Sequence, residues 1–254
     1  MLPDDLHTYL RRLRIAPEPP SADALDRLHR AHLERIPYET TWIHLDQRWT
    51  VDRTASLRRI AHLGRGGYCF HVNGAFSELL TALGYHVTLH AGGVYGTDGP
   101  TLESVENHLV LLVHGLPTDD HPDGTWYVDA GLGDAIHGPL PLEPGVYRDG
   151  PFEFALGPAP IDGVDWELRS HRLGSFPGMV FERAATTMER FAARNVVLST
   201  SPDSVFVKMV TAQRRDAAGA DILRGLVMNR VAETATAVCT LDTASEWFEA
   251  LADV

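Results

Sequence analysis

The stretch Arg65-Gly66-Gly67-Tyr68-Cys69-Phe70-His71-Val72-Asn73-Gly74 places one of only two cysteines in the 254-residue chain directly after a glycine pair. Residues 75–83, which follow it, have the apolar pattern of a helix. Gly66 and Gly67 allow a sharp turn, because glycine adopts backbone conformations closed to residues with a Cβ. Cys69 then falls in the first helical turn, where unpaired N–H groups and the helix dipole favour a thiolate. The stretch predicts a reactive cysteine.

A base and a carboxylate that could serve this cysteine follow along the chain. His108 opens the apolar run 109–113, and Asp129 closes the segment 126–129. A thiol with an ordinary pKa of about 8.5 needs a base to take its proton, and an imidazole base needs a group that orients it. Side chains alternate along strands, so His108 and Asp129 can meet if their strands are neighbours. Each residue type alone more often has a structural role at such a position; together they predict a nucleophile, a base and an orienting carboxylate.

Composition excludes several classes of partner. The formal net charge of −12 argues against binding to nucleic acid or anionic membranes. No apolar run approaches the ~18 residues of a membrane span, and the N-terminus lacks the pattern of a signal peptide. These features, with only two cysteines, predict a cytoplasmic protein with free thiols, in which Cys239 is a strand-core residue. Lys208 is the only lysine. Any phosphate group of a ligand would therefore be bound chiefly by arginines, by backbone N–H groups or by Lys208 itself.

Periodicity predicts helices first and strands afterwards. Four helices are expected before residue 84: from Asp4 or Asp5 to Leu13, from Ser21 to Ile36, from Thr54 to Leu63, and the Cys69 helix. The expected strands are Tyr85–Ala91, Asn107–His114, Thr125–Asp129, Phe152–Leu156 and Trp166–Arg172. A helix at Ala184–Arg194, strands at Ser204–Gln213 and Ile222–Met228, and an amphipathic helix at Thr243–Ala252 complete the pattern.

Thirteen histidines raise the question of a metal site. His29 and His32 lie one helical turn apart, and His86 and His90 share a strand face. Zinc sites need three or four protein ligands, and neither pair has a third ligand at suitable spacing. We predict no metal site.

The sequence resembles the arylamine N-acetyltransferases. The likeness rests on residues 65–70 with Asn73, on His108 before a hydrophobic strand, and on the turn Val128-Asp129-Ala130-Gly131-Leu132-Gly133. Weaker similarity lies in Ile36-Pro37-Tyr38-Glu39 upstream and in residues 195–206 downstream. The resemblance implies an α+β fold with a papain- or transglutaminase-like catalytic core. It comprises a helical N-terminal domain (1–84) carrying the cysteine, a central antiparallel β-barrel domain (85–195) carrying His and Asp, and a C-terminal α/β lid (196–254).

The resemblance also implies an activity, which is transfer of an acetyl group from acetyl-CoA to the nitrogen of an arylamine or arylhydrazine by a ping-pong mechanism. Cys69 would carry the acetyl group as a thioester, His108 would be the general base and acid, and Asp129 would orient His108. Gly131, Gly133 and Asn73 are the expected coenzyme contacts, and Phe70, Leu132 and Tyr38 the expected amine contacts. The implied partners are a small aromatic amine and acyl-CoA, with no metal, no nucleic acid and no membrane; the protein would be a monomer or a homodimer.

Departures from the family pattern leave alternatives open. His71 stands where the family has Glu or Gln; two helical residues are about 200° apart, so it should face away from Cys69. Thr40-Thr41-Trp42 and Leu132 alter what we expect to be a pocket wall, since Leu132 replaces a phenylalanine. The alternative is an amide synthase or other N-acyltransferase of a natural-product pathway, using another acyl donor on the same triad. Hydrolysis or transglutamination by the triad is a third interpretation, disfavoured because the likeness includes the flanking segments.

Overall fold

The computed structural model describes residues 3–232 and 236–254, and its secondary structure is mixed. The helices in these residues are α1 (Pro3–Leu13), α2 (Ala22–Arg35), α3 (Thr41–His44), α4 (Arg53–Leu63), α5 (Cys69–Ala82), α6 (Ala192–Thr200), α7 (Val205–Lys208) and α8 (Ala244–Asp253). The strands are β1 (Tyr38–Glu39), β2 (His86–Tyr95), β3 (His108–His114), β4 (Trp126–Val128), β5 (Leu140–Pro141), β6 (Gly145–Asp149), β7 (Phe152–Pro158), β8 (Trp166–Arg169), β9 (Gly178–Thr186), β10 (Thr211–Asp216), β11 (Gly219–Arg224), β12 (Val227–Val231) and β13 (Thr236–Thr240). Short 3-10 helices lie at Leu102–Ser104 and Met188–Phe191.

Side-chain caps set the starts of the N-terminal helices. Ser21 caps α2, as its sequence predicts, by accepting a hydrogen bond from the backbone N–H of Ala24 at 3.1 Å. Asp52 rather than Thr54 caps α4, because its carboxylate accepts from the N–H of Ala55 at 2.6 Å. The one-turn helix α3 was not expected from the pattern.

An eight-stranded antiparallel, barrel-like sheet forms the centre of the molecule, in the order β5-β4-β3-β2-β9-β8-β7-β6. Strand β3 is buried on both faces. Leu109 and Leu111 belong to the core shared with the helices, and Val110 and Leu112 to the core inside the barrel-like sheet. Strand β4 pairs with β3, so the neighbourhood expected for the two strands that carry His108 and Asp129 is confirmed.

A second antiparallel sheet, in the order β1-β10-β11-β12-β13, joins one strand from the first 40 residues to four strands from the last 50. Its first strand, β1, comes from the helical N-terminal region and pairs Tyr38 with Gln213 of β10. Tyr38 also forms an isolated parallel bridge with Gly67, two residues before Cys69. The second sheet is thereby fixed close to the start of α5.

Two predicted elements are wrong in their first residues. The predicted helix Ala184–Arg194 starts with the end of β9, which pairs with β2 inside the large sheet, and the chain becomes helical only from Met188, as a 3-10 helix that continues into α6. The predicted strand Ser204–Gln213 begins instead with α7, and β10 starts at Thr211. In both places packing against distant residues outweighs local propensity.

Two further predictions need correction in detail. The predicted strand Ile222–Met228 is a hairpin, since Gly225 turns the chain between β11 and β12. Cys239 does lie on a strand, but its side chain is exposed rather than part of the core. The domain boundaries after residues 84 and 195 stay predictions. Within residues 3–232 and 236–254, no helix is both long enough and apolar enough to cross a membrane.

Candidate active site

Cys69 is the first residue of α5, delivered there by the glycine turn. Gly67 has φ +143°, and a Cβ on it would lie 2.6 Å from the Cβ of His71. A Cβ on Gly66 would overlap the carbonyl oxygen of Pro37. Cys69 is a free thiol and only 4% exposed. The sequence-based placement of this cysteine at a helix N-terminus is therefore confirmed.

His108 and Asp129 meet where their strands bring them side by side. His108 is the first residue of β3, and Asp129 directly follows β4. The Nε2 of His108 lies 2.7 Å from Oδ2 of Asp129, and both side chains are buried. A carboxylate oxygen only accepts, so Nε2 carries the proton and leaves Nδ1 for the thiol.

Four hydrogen bonds hold the Asp129 carboxylate. Oδ1 accepts from Asn73 Nδ2 at 2.8 Å and from the Gly131 N–H at 2.9 Å. Oδ2 accepts from His108 and from the hydroxyl of Tyr127 at 2.8 Å. Burial alone would raise the pKa of Asp129, but the charge of His108 and these donors lower it. The carboxylate is therefore ionised and fully occupied.

The electrostatics couple His108 to both of its neighbours. Burial disfavours its charged form, yet the charge of Asp129 and hydrogen bonds with Asp129 and Cys69 raise the pKa of His108 to about 10. An imidazolium is thus the favoured state near neutral pH. Its proton is what a Cys69 thiolate needs beside it.

The Asp129 loop approaches the nucleophile closely at Gly131. A Cβ on Gly131 would lie 2.8 Å from both the Cα of Cys69 and Nδ2 of Asn73. Contacts this short are not available to a residue with a side chain. The glycine therefore lets the carboxylate loop pack directly on the first turn of α5.

A cavity of about 390 Å³ opens beside the triad. It is lined by residues of the helical region, both sheets and helices α6 and α7: Tyr38, Cys69, Val94, Asn107, His108, Gly131, Leu132, Ser175, Phe176, Arg194, Leu198, Val205, Phe206, Met209, Thr211, Gln213 and Arg224. None of these described lining residues is acidic, although the chain carries a net charge of −12. The cavity is therefore locally cationic and partly aromatic.

Several polar groups on the cavity wall are left without partners. Gln213 is 4% exposed, and within the described part of the chain its Nε2 is buried with no hydrogen-bond partner. Nε of Arg194 is likewise buried without a hydrogen-bond partner among the described residues. Arg224 forms no ion pair with any described carboxylate. The buried nitrogens of Gln213 and Arg194 need a partner, which a ligand can supply.

The structure separates the residues predicted to bind substrates. Tyr38, Gly131 and Leu132 line the cavity. Asn73 is fully buried behind the triad, where it donates to Asp129 and accepts from the Ala130 N–H, which favours a positioning role over coenzyme contact.

Two other predicted contacts also lie off the cavity wall. Phe70 is buried 5.0 Å from the ring of Phe191. Gly133 lies beside Gln213, because a Cβ built on it would overlap that amide. Lys208 is 3.9 Å from Asp203, outside the lining.

His71 and the altered segment at residues 40–42 lie behind the site. His71 is fully buried and contacts the rings of Trp42 and Trp49 at 5.2 and 5.5 Å, so it faces away from the nucleophile as expected. Thr40, Thr41 and Trp42 do not line the cavity, contrary to expectation. Thr40 instead accepts from the N–H of Thr211 at 2.9 Å. Leu132 is therefore the substitution that reaches the cavity directly.

The sequence analysis did not identify most of the cavity lining opposite the triad, including Phe176, Arg194, Phe206, Gln213 and Arg224. Alternation along a strand could have indicated part of this lining. Thr211 and Gln213 share a face of β10 by alternation, and Arg224 pairs with Thr211. Among residues 3–232 and 236–254, no group of three or more His, Cys, Asp or Glu side chains is placed to hold a metal ion.

Comparison with known proteins gives consistent results. A family model described as N-acetyltransferase matches residues 21–254. An arylamine N-acetyltransferase / N-hydroxyarylamine O-acetyltransferase of Salmonella typhimurium is 33% identical over 148 residues, which are 58% of this chain and 50% of that protein. Proansamycin X synthase of Amycolatopsis mediterranei is 34% identical over 164 residues, 60% of this chain and 58% of that protein. The aligned chain thus spans between half and three fifths of these two relatives.

A solved structure shows the same fold over almost the whole chain. The arylamine N-acetyltransferase of Mycobacterium marinum in complex with CoA superposes with a TM-score of 0.86 at 25% sequence identity. The match covers 98% of this chain and 91% of that protein. The α+β class expected from the sequence is confirmed.

Proposed function

Since the chain belongs to the arylamine N-acetyltransferase family, matched over residues 21–254, we propose that it transfers an acetyl group from acetyl-CoA to the nitrogen of an arylamine or arylhydrazine. The transfer proceeds by a ping-pong mechanism through an acyl-Cys69 intermediate. The observation that carries the proposal is that Cys69 and His108 both line the cavity, with Asp129 behind them bound to His108 at 2.7 Å.

In the first half-reaction the Cys69 thiolate attacks the thioester carbonyl of acetyl-CoA. The C–S bond to coenzyme A breaks as the new C–S bond to Cys69 forms. The leaving thiolate takes the proton that His108 holds on the nitrogen facing the cysteine. Asp129 stays ionised throughout and stabilises the imidazolium.

In the second half-reaction the amine attacks the acetyl-Cys69 carbonyl. His108, now neutral, accepts the proton that the nitrogen loses as the amide bond forms. The bond to the Cys69 sulfur breaks, and the thiolate is regenerated beside the imidazolium. The two half-reactions therefore use one proton that moves on and off His108.

The cationic wall supports an anionic co-substrate. Arg194 and Arg224 line the cavity without carboxylate partners among the described residues, and arginine is well suited to phosphate. Gly131 and Leu132 of the turn after Asp129 also line it, so backbone can approach the pantetheine arm or pyrophosphate. The relative from Mycobacterium marinum was solved in complex with CoA, which favours the same co-substrate here.

The remaining wall supports an aromatic acceptor. Tyr38, Phe176 and Phe206 present rings to the cavity, together with Leu132 and Met209. A cavity of about 390 Å³ is of a size that holds a small ligand. Rings of this kind attract an arylamine by stacking or edge contacts.

The first test is loading of the protein by acetyl-CoA alone. Without amine, we expect intact-protein mass spectrometry to show one added acetyl group on Cys69 and a burst of one equivalent of free coenzyme A. Cys69→Ser should lose both signals while remaining folded, because a hydroxyl is a far weaker nucleophile than a thiolate. The matched control is Cys239→Ser, since Cys239 is exposed on β13 and away from the cavity. Transfer by Cys69→Ser above about a tenth of the wild-type rate would remove Cys69 from the mechanism.

A second function is favoured by one of the relatives. Proansamycin X synthase is as similar in identity as the Salmonella acetyltransferase, and its name is that of a synthase. The alternative is an N-acyltransferase or amide synthase that places a different acyl group on Cys69. A panel of acyl-CoA thioesters and other acyl thioesters separates the two: a folded, alkylatable protein that stays unloaded by acetyl-CoA but is loaded by another thioester is such a synthase.

A further inference from the structure

Two histidines of α2, His29 and His32, are completely buried, and the mechanism above uses neither. They lie one helical turn apart and both contact the ring of Phe76, at 6.0 and 4.8 Å. His32 lies 2.7 Å from the hydroxyl of Tyr9, within the helical region. His29 faces the opposite way, towards the loop that carries Asp129. The pair therefore offers two similar side chains in different surroundings.

Both ring nitrogens of His29 bind backbone groups, and these fix its tautomer. Nδ1 lies 2.9 Å from the carbonyl oxygen of His137, which can only accept, so Nδ1 carries the proton. Nε2 accepts from the backbone N–H of Asp129 at 3.3 Å. Burial lowers the pKa of His29, which keeps the ring neutral and Nε2 able to accept.

The His137 end of this link is anchored by a polar network. Its backbone N–H donates to the carboxylate of Asp149. Its ring lies between Arg30 at 2.7 Å and Glu34 at 3.1 Å, both on the same helix as His29. The carbonyl that His29 binds is thus held in place. His29 therefore connects a fixed point to the peptide group of the triad carboxylate.

We propose that His29 is a positioning residue for acyl transfer, whose neutral imidazole holds the backbone N–H of Asp129 so that the carboxylate stays aligned with His108. The inference rests on the proposed function for its reaction and on the triad geometry for its mechanism. Four donors bind the Asp129 carboxylate. His29 binds the backbone N–H of the same residue. Without that partner the N–H is buried and unpaired, and the peptide can rotate.

The test compares substitutions at His29 with a matched substitution at His32. His29→Phe keeps the ring volume but removes both hydrogen bonds. His29→Gln keeps an acceptor that reaches the Asp129 N–H, whereas His29→Asn is long enough only for the His137 carbonyl. His32→Phe is the control, because it removes a buried histidine from the same helix without touching Asp129.

We expect His29→Phe and His29→Asn to slow acetylation of Cys69 by about 10- to 100-fold, the cost of misplacing a catalytic group by about 1 Å. His29→Gln should restore most of the rate, and His32→Phe should lower Tm with little change in the rate. The second readout is the pH profile of Cys69 alkylation by iodoacetamide. Its inflection should rise towards the free-thiol value of about 8.5 in His29→Phe and His29→Asn only.

Several outcomes overturn the proposal. It fails if His29→Phe keeps the wild-type alkylation profile, or if His32→Phe slows acetylation as much as His29→Phe does. If His29→Phe does not fold, His29→Asn against His29→Gln decides, and equal rates in those two contradict the role. Alkylation needs no acyl donor, so it still tests His29 if acetyl-CoA fails to load the wild-type protein.

Discussion

The cavity has two walls that differ in how their polar groups are satisfied. The triad wall, defined as the lining residues Cys69 and His108 together with Asn73, Tyr127 and Asp129 behind them, contains no buried side-chain N or O atom without a partner. The binding wall, defined as Arg194, Gln213 and Arg224, has buried nitrogens without a hydrogen bond and a guanidinium without a carboxylate among the described residues.

The difference indicates what each wall does. A fully bonded network holds reacting groups in one geometry, which acyl transfer requires. Unpartnered buried donors are costly in the free protein and become favourable only when a ligand binds them. We therefore expect substitutions in the triad wall to change rates and substitutions in the binding wall to change KM.

Of the substitutions that test this contrast, Asp129→Asn should cause the largest change, a loss of the rate of Cys69 acetylation. All four partners of the carboxylate donate, so an amide NH₂ would oppose at least one of them and disfavour the required tautomer of His108. By analogy with the aspartate of a serine-protease triad, we expect the rate of Cys69 acetylation to fall by about 10⁴-fold.

The same variant should change the pH dependence of Cys69. Loss of the carboxylate charge lowers the pKa of His108 from about 10, so the imidazolium is lost at lower pH. The inflection of iodoacetamide alkylation should then rise towards about 8.5.

Asp134→Asn serves as the control for both measurements. It is a fully buried aspartate of the same loop, bound to Ser175 rather than to His108. A comparable loss of rate in Asp134→Asn would show that any buried carboxylate of the loop matters, and the contrast between the walls would fail.

Arg224→Gln should have an intermediate effect, and on KM. A hydrogen bond between a guanidinium and a charged oxygen contributes roughly 1.5 kcal/mol or more, so we expect the KM for acetyl-CoA to rise about tenfold with kcat little changed. The control is Arg214→Gln, which lies on the adjacent strand and pairs with Asp221 at 3.5 Å. An unchanged KM for acetyl-CoA combined with a raised KM for the amine would assign Arg224 to the acceptor instead.

Leu132→Phe should have the smallest effect. It tests whether the aromatic part of the cavity binds the acceptor amine. An added aromatic pair contributes about 0.5–1.5 kcal/mol, so kcat/KM for simple anilines should rise by a factor of about 2 to 12. Acetylation of Cys69 by acetyl-CoA should not change. Poorer use of anilines by this variant would mean that Phe176 and Phe206 already fill the acceptor space, and our account of Leu132 would be incorrect.

The triad was accessible from the sequence because its signals are local. The glycine pair marks the helix start that holds Cys69, and alternation along two adjacent strands brings His108 to Asp129. The binding wall was not accessible in the same way. Arg224 reaches the cavity through pairing between β10 and β11, and Gln213 through pairing with Tyr38, more than a hundred residues earlier in the chain.

The error at residues 184–186, which end β9 and do not start a helix, has a similar cause. Ala184 and Ala185 are good helix formers, and the local pattern favours a helix. In the folded chain Ala185 pairs with His90, and β9 lies between β2 and β8 in the large sheet. Sheet order of this kind depends on contacts distant in sequence, so neither propensity nor periodicity contains it.

The close approach of Gly131 to Cys69 also bears on when the protein becomes reactive during folding. This contact joins α5, in the first third of the chain, to the loop after β4, and no side chain fits between them. Until both parts have docked, the thiol has neither the imidazolium nor the carboxylate beside it and behaves as an ordinary cysteine. We therefore expect Cys69 to become reactive at neutral pH only in the completed native state, so the rate of its alkylation should distinguish assembled from unassembled protein.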